Sequence, residues 1–249
     1  MNDLTLLYYT ANKIPETFGQ NVRNHLVSLF PEGIPIISVS HKPIDFGKNI
    51  HVEGFEYSIY NIYKQILIGA KEATTKYVAC CEDDALYPRE HFEYRPKDDE
   101  FAYNINRYLV NKDCFFSPRR ACMCTCIASR ELMIETLEKR FEKYPNLIMD
   151  RNTLRQFGEP GRSEERLGLP IVNWIKFETK TPMLVFNHFP SVGGVRKIKD
   201  TAIIAKYLEG WGEAEKLWNN IGILKWHWNT KEENWWKTKE RYENNTRAC

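Results

Sequence analysis

The chain has no run approaching eighteen consecutive apolar residues, which excludes a transmembrane helix, and no membrane partner is expected. Its first residues, Met1-Asn2-Asp3-Leu4, carry no basic leader, apolar stretch or cleavage site, so no export signal is expected and a cytoplasmic location follows. None of its seven cysteines forms a C-x-x-C pair. Charge of one sign is not in excess: 35 Lys+Arg against 33 Asp+Glu leave +2. That excludes a histone-like polycation, although a local basic groove stays open because net charge averages over faces. There is no internal repeat, no low-complexity linker, and no Gly-rich phosphate loop after the first apolar run at Tyr8 to Asn12.

What is present is material for a sizeable core. The 249 residues are 43% hydrophobic and 13% aromatic, enough for one large domain or a domain with an appendage. Without an export signal the cysteines read as reduced thiols. Cys122, Cys124 and Cys126 alternate with Met123 and Thr125, which places all three on one face of a strand as small hydrophobes. As a zinc site the spacing is poor, since alternate strand side chains stand roughly 7 Å apart.

The early pattern is strand, helix, strand, helix, strand. Leu4 to Tyr9 is an apolar run of strand length ending in Thr10-Ala11-Asn12. Thr17 to Phe30 reads as a helix carrying Val22, Leu26 and Leu29, and Ile34 to Val39 as a second buried strand. Phe55, Ile59, Ile62, Ile66 and Ala70 recur at helical spacing and lead into the strand Tyr77-Val78-Ala79-Cys80-Cys81. This order predicts an α/β fold with a mostly parallel central sheet flanked by helices. Further on, Phe101 to Val110, Phe115 to Ile127 and Pro182 to Phe189 read as strands. Ser129 is an N-cap for a helix with Ile134, Leu137, Phe141 and Tyr144. The polar, Gly-rich stretch Gly158 to Gly168 reads as a mobile loop over a site. Six of the seven tryptophans fall between Trp211 and Trp236. Residues 1–200 are therefore read as the main domain and 201–249 as a Trp- and Lys-rich helical extension packed on it.

The chemistry concentrates at YVACC-EDD-ALYP. A strand buried on both faces is followed at once by Glu82, Asp83 and Asp84, and open α/β sheets bind ligands beyond the carboxyl ends of their strands. Glu82 and Asp84, two apart, point the same way in an extended segment. Such oxygens suit Mg²⁺ or Mn²⁺, which keep waters and bridge to substrate phosphates. The bland alternative is a solvated acidic turn.

This stretch, preceded by Ala73-Thr74-Thr75-Lys76-Tyr77-Val78, resembles the acid-x-acid segment of the GT-A fold nucleotide-sugar glycosyltransferases, with Glu in place of the first Asp. The resemblance covers roughly residues 1–200 and implies a Rossmann-like GT-A fold and a nucleoside-diphosphate sugar donor of the UDP-sugar type. It also implies Mn²⁺ or Mg²⁺ on Glu82, Asp84 and a late histidine, His188. It places Tyr9, Thr10, Asn12 and Asp83 at the donor, and Glu164 or Glu165 where the family offers its catalytic base. Arg196 and Lys197, after Gly193-Gly194, are candidate phosphate binders. Ser40-His41 stands where the commonest subgroup has D-D-x-S.

A narrower resemblance joins Glu82 to Pro88 (E-x-D-x-L-Y-P), His91-Phe92, Tyr103-Asn104 and Ala128 to Leu132 to the phage and TET-associated glycosyltransferases. It implies DNA with hydroxymethylated pyrimidines as acceptor, with Tyr103, Asn104, Trp235 and Trp236 at the acceptor. A saccharide or lipid-linked acceptor is the alternative. From other classes, a metal-dependent nucleotidyltransferase shares the sheet and carboxylates but expects a phosphate loop near the first strand. A non-catalytic nucleic-acid-binding module would use the Trp/Lys tail and need no acidic triplet. For His188 the competing role is a hydrogen-bonded core histidine, and for Glu164 and Glu165 a solvated charge run beside Arg162 and Arg166.

Overall fold

Short apolar runs that alternate with amphipathic helices assemble in the order the sequence predicts. The computed structural model describes residues 2–145, 157–188 and 203–221. Its first half runs β1 (Leu4–Thr10), α1 (Glu16–Ser28), β2 (Ile36–Ser40), β3 (Lys48–His51), α2 (Ile59–Glu72), β4 (Tyr77–Glu82) and β5 (Ala85–Leu86). Then come β6 (Glu100–Asn104), β7 (Arg107–Val110), β8 (Phe115–Ser117), β9 (Cys126–Ser129) and α3 (Arg130–Lys143). The rest is β10 (Asn173–Phe177), β11 (Met183–Phe186), β12 (Ile203–Ala205), β13 (Tyr207–Leu208), β14 (Gly212–Glu213) and α4 (Ala214–Asn220).

The central sheet has the order β10-β6-β9-β4-β1-β2-β3. Only β9 runs against its neighbours β4 and β6, so the expected mostly parallel α/β architecture is what forms. Both faces are covered, which explains why β1 and β4 read as continuous apolar runs. Phe18, Val22 and Leu26 of α1 pack with Leu6, Tyr8 and Cys81 on one face. Tyr63, Ile66 and Ala70 of α2 pack with Leu7, Tyr9 and Cys80 on the other. The Ser58 and Ser129 hydroxyls cap α2 and α3, accepting from the backbone N–H of Asn61 and Leu132. The charged, poorly patterned edge strand β3 carries no sequence signal and was not expected.

A second sheet, β12-β8-β7-β11-β5, packs on the α1 side of the first. It corrects two expectations. The single strand read at Phe101–Val110 is broken after Asn104, whose Oδ1 accepts from the Asn106 backbone N–H at 3.0 Å. Side-chain capture of the backbone turns the chain there, so β6 stays in the central sheet and β7 joins the second. Phe115–Ile127 likewise divides into β8, a 3-10 turn at Met123–Thr125, and β9. The three alternating cysteines therefore do not share a strand face: Cys124 enters one core and Cys126 the other.

Residues 203–221 add β12 to the second sheet and bury Trp218 of α4 in the same core. Trp211, within the stretch read as helical, instead sits in the turn between β13 and β14, donating its indole N–H to the Pro182 carbonyl at 2.8 Å. Among the described residues no helix is long and apolar enough to cross a membrane.

One core group ties this packing to pH. His91 is fully buried against Tyr87, Phe92 and Phe177, and burial lowers its pKa to about 3. The unfolded imidazole takes up its proton near 6.5 while the folded one does not. This contribution is therefore complete above pH 6.5 and is lost as pH falls toward 3, at about 1.4 kcal/mol per pH unit. Urea unfolding of His91→Gln between pH 7 and pH 4 should show a correspondingly shallower loss of stability than wild type. Equal slopes would remove His91 from the acid response.

Candidate active site

The register of two parallel strands places the site. β1 and β4 lie side by side with Tyr9 opposite Glu82. The chain leaves β1 through α1 on one face and reaches β4 through α2 on the other, so their carboxyl ends border the crevice where open α/β sheets take ligands. A cavity of about 240 Å³ opens there, with Thr10, the three carboxylates, Glu159 and His188 in its walls.

The three acids are held in three ways. The Tyr9 hydroxyl donates to Glu82 Oε1 at 3.0 Å, while the Glu82 backbone N–H donates to the Tyr87 hydroxyl at 3.0 Å. The Thr10 hydroxyl donates to Asp83 Oδ2. Asp84 Oδ2 lies 3.2 Å from His188 Nε2, and Asp84 Oδ1 is buried without a hydrogen-bond partner among the described residues. Burial, reinforced by Cys122 and then by the neighbouring acids, pushes the Glu82 carboxyl well above the usual carboxylate range against the Tyr9 hydrogen bond. Burial and then the Asp84 charge push Asp83 up to about 7, against the opposing Thr10 hydrogen bond and His188. A cluster that resists holding so much negative charge is one that a cation stabilises.

His188 reaches this cluster through the second sheet. β5, directly after the acids, pairs antiparallel with β11, and the Phe186 backbone N–H donates to the Asp84 carbonyl at 2.9 Å. The Asn187 N–H donates to the Val110 carbonyl at 2.9 Å, and its side-chain amide to Asn111 Oδ1 at 2.7 Å. His188 thus lies just past the end of β11 rather than within it.

Glu82, Asp84 and His188 share the cavity but do not converge on a point: among the described residues no three His, Cys, Asp or Glu side chains form a ready metal group. The chain turns at Asp83 and Asp84, which breaks the extended alternation that would have aligned Glu82 with Asp84. The pair Asp84–His188 does fit a divalent cation. A carboxylate oxygen lacking a donor beside an imidazole suits an ion that completes its shell with water and substrate phosphate.

Tyr9, Thr10 and Asp83 all line the cavity. Asn12 does not. It takes a left-handed φ of 52°, donates its N–H to the Thr10 hydroxyl at 2.8 Å and accepts from the Lys42 N–H at 2.8 Å, shaping the β1–α1 turn. Gln65, which sequence reading passed over, is a buried amide on the inner face of α2. It donates to the carbonyls of Thr10 at 3.0 Å and Val39 at 2.9 Å, holding the ends of β1 and β2.

The proposed acceptor residues lie elsewhere. Asn104 is buried and donates to the Thr179 hydroxyl at 2.9 Å. Tyr103 donates to the Pro160 carbonyl at 2.6 Å and so anchors the Gly158–Gly168 loop from below. Arg196, Lys197, Trp235 and Trp236 lie outside the described residues.

Neither expected base stands in the cavity. Glu164 is 2% exposed and locked to Arg140, which donates through Nε to Glu164 Oε1 at 2.7 Å and through another nitrogen to the Gly158 carbonyl at 2.7 Å. Glu165 points to solvent. The carboxylate of this loop that lines the cavity is Glu159. Gly161 seats the loop: its φ is +80°, and a Cβ would come within 2.8 Å of Trp174 Cβ. With three glutamates in one polar stretch, local sequence cannot rank them.

No protein-family model and no curated protein sequence matches this chain. Among solved structures it is similar to the bifunctional IspDF from Campylobacter jejuni, at 11% identity and TM-score 0.40 over 72% of this chain. It spans only 50% of that protein's length. It is also similar to a glycosyltransferase involved in glycosylation of the major capsid of PBCV-1, at 10% identity and TM-score 0.42, covering 73% of this chain and 91% of that one. A third likeness is to 2-C-methyl-D-erythritol 4-phosphate cytidylyltransferase from Thermus thermophilus, at 13% identity and TM-score 0.42, covering 72% and 90%. Likeness of this degree carries nothing about activity, substrate or partner.

The reassignment of Glu164 is measurable. Glu164→Gln leaves the Arg140 guanidinium without its counter-charge in the core and should cost about 3–5 kcal/mol in urea unfolding. Glu165→Gln should stay within about 0.5 kcal/mol of wild type. A Glu164→Gln protein of wild-type stability would contradict the structural role.

Proposed function

We propose that this protein transfers a sugar from a nucleoside-diphosphate sugar to a hydroxyl acceptor, with Mn²⁺ or Mg²⁺ as cofactor. The observation that carries the reading is the buried Asp84 oxygen, without a hydrogen-bond partner among the described residues, beside His188 at the carboxyl end of β4, across from the end of β1. Asp84 and His188 would hold the cation, with Glu82 and Asp83 adding negative field behind them. Bound there, the metal supplies Lewis-acid neutralisation of the departing diphosphate. Tyr9 and Thr10 orient Glu82 and Asp83, and the β1–α1 turn receives the nucleoside. A metal-dependent nucleotidyltransferase would be expected to offer a Gly-rich loop at this turn, and Thr10-Ala11-Asn12-Lys13 has none.

In an inverting transfer Glu159 accepts the proton of the attacking hydroxyl. For the acceptor, the hydroxymethylated-DNA reading rests on the E-x-D-x-L-Y-P resemblance, because Tyr103 and Asn104 are committed to the core. A duplex acceptor would also require its base to swing out of the stack, whereas a saccharide hydroxyl would not. Transfer of labelled sugar onto free saccharides and onto 5-hydroxymethylcytosine DNA, from several nucleotide sugars with Mn²⁺ present, separates these acceptors.

Two outcomes test the mechanism. Asp84→Asn should abolish transfer, as should a chelator, and turnover undiminished by either would remove the metal reading. Glu159→Gln should lower the maximal rate by about 10²–10⁴-fold, the usual worth of a general base, while Glu165→Gln leaves it unchanged. The reverse ranking would return the base to Glu165.

A further inference from the structure

Three arginines are buried among the described residues, and two are matched. Arg140 has Glu164 and the Gly158 carbonyl, and Arg23 has Glu16 and Gln20. Arg107 is different. It opens β7, where its backbone carbonyl accepts the Ser117 hydroxyl at 2.8 Å, and its side chain is 1% exposed in the wall of the cavity. Among the described residues none of its three guanidinium nitrogens has a hydrogen-bond partner. Its electrostatic neighbours are Cys122 and Cys124, then Glu82 and Glu159, and each glutamate is engaged elsewhere, Glu82 with Tyr9 and Glu159 with Arg162 at 2.9 Å.

A guanidinium presents donors only, in a rigid planar fork, and burying it unmatched is unfavourable. The group that satisfies it best is an oxyanion offering two oxygens in one plane. A neutral hydroxyl offers less, and a cation is repelled. No other part of the described chain supplies that oxyanion, and the cavity is where a ligand would bring it.

We propose that Arg107 receives an oxyanion of the bound ligand, either a carboxylate on the transferred sugar or a phosphate of the donor, and is a specificity-determining residue of this cavity. The identity of that ligand rests on the nucleotide-sugar reading; the need for an oxyanion does not. Arg107 is then a residue whose charge disfavours the empty protein and is stabilised by the ligand, as binding sites often are.

Calorimetric titration and thermal melting of wild type, Arg107→Met and Arg107→Lys test this. The probes are UDP, UDP-glucose, UDP-glucuronate, inorganic pyrophosphate and glucuronate. Ligand-free Arg107→Met should melt at or above wild type, since methionine removes an uncompensated buried charge. Its affinity for the recognised oxyanion should fall at least about tenfold, with Arg107→Lys between the two because it keeps the charge but loses the fork. A loss shared by UDP and pyrophosphate assigns the phosphate, and a loss confined to UDP-glucuronate and glucuronate assigns the carboxylate. Arg107-dependent binding of pyrophosphate or glucuronate without binding of any nucleotide sugar would keep this inference and remove the proposed function. Equal affinities in wild type and Arg107→Met, or no binding of any probe, overturns it. So does an Arg107→Met protein that melts below wild type while Arg107→Lys does not, since Arg107 would then be structural.

Discussion

Three consecutive carboxylates at the end of a doubly buried strand repel one another and lose much of their hydration, and the groups that answer them come from distant parts of the chain. Tyr9 and Thr10 arrive from β1, in register with β4, and His188 arrives past the end of β11. The answer is incomplete, since among the described residues one Asp84 oxygen is left without a donor. Much of the remaining architecture serves to keep these groups in place. Gln65 ties down the ends of β1 and β2, and β5 stitches the acidic turn to the second sheet. A site built this way cannot relax by rotating one side chain, because each carboxylate has its own partner, two from β1 and one from beyond β11.

The two sheets divide the labour. The central sheet supplies negative charge at its carboxyl edge, where parallel α/β sheets commonly take ligands. The second sheet supplies the guanidinium of Arg107 from the start of β7, opposite Met183, and the imidazole of His188 from just past the end of the parallel neighbour β11. Acidic and basic walls therefore face one cavity. That arrangement suits a ligand that carries negative charge and is bridged to carboxylates by a cation, more than it suits a purely apolar or purely cationic molecule.

The Gly158–Gly168 loop shows how a functional residue is chosen by its neighbours. Glu159, Glu164 and Glu165 have the same chemistry within seven positions. The buried Arg140 claims Glu164, solvent claims Glu165, and the Tyr103 and Gly161 anchors leave Glu159 at the cavity. Asn104 and Tyr103, which looked like contacts for an acceptor, turn out to fix a strand end and that same loop.

The sequence by itself determined the alternation of strands and helices in the first half, the cap at Ser129, and the carboxylates beyond β4. These follow from hydrophobic period and local hydrogen bonding, which act over a few residues. It also pointed to His188, though only through resemblance. Tertiary structure alone decided that Phe101–Val110 divides between two sheets, that Glu82 accepts from Tyr9, that Glu164 is a core ion pair, and that the Arg107 guanidinium has no partner among the described residues. Each depends on which distant groups are within reach to donate, accept or neutralise. Asp84 meets His188 from 104 residues away because β5 pairs with β11, and no local pattern encodes that pairing.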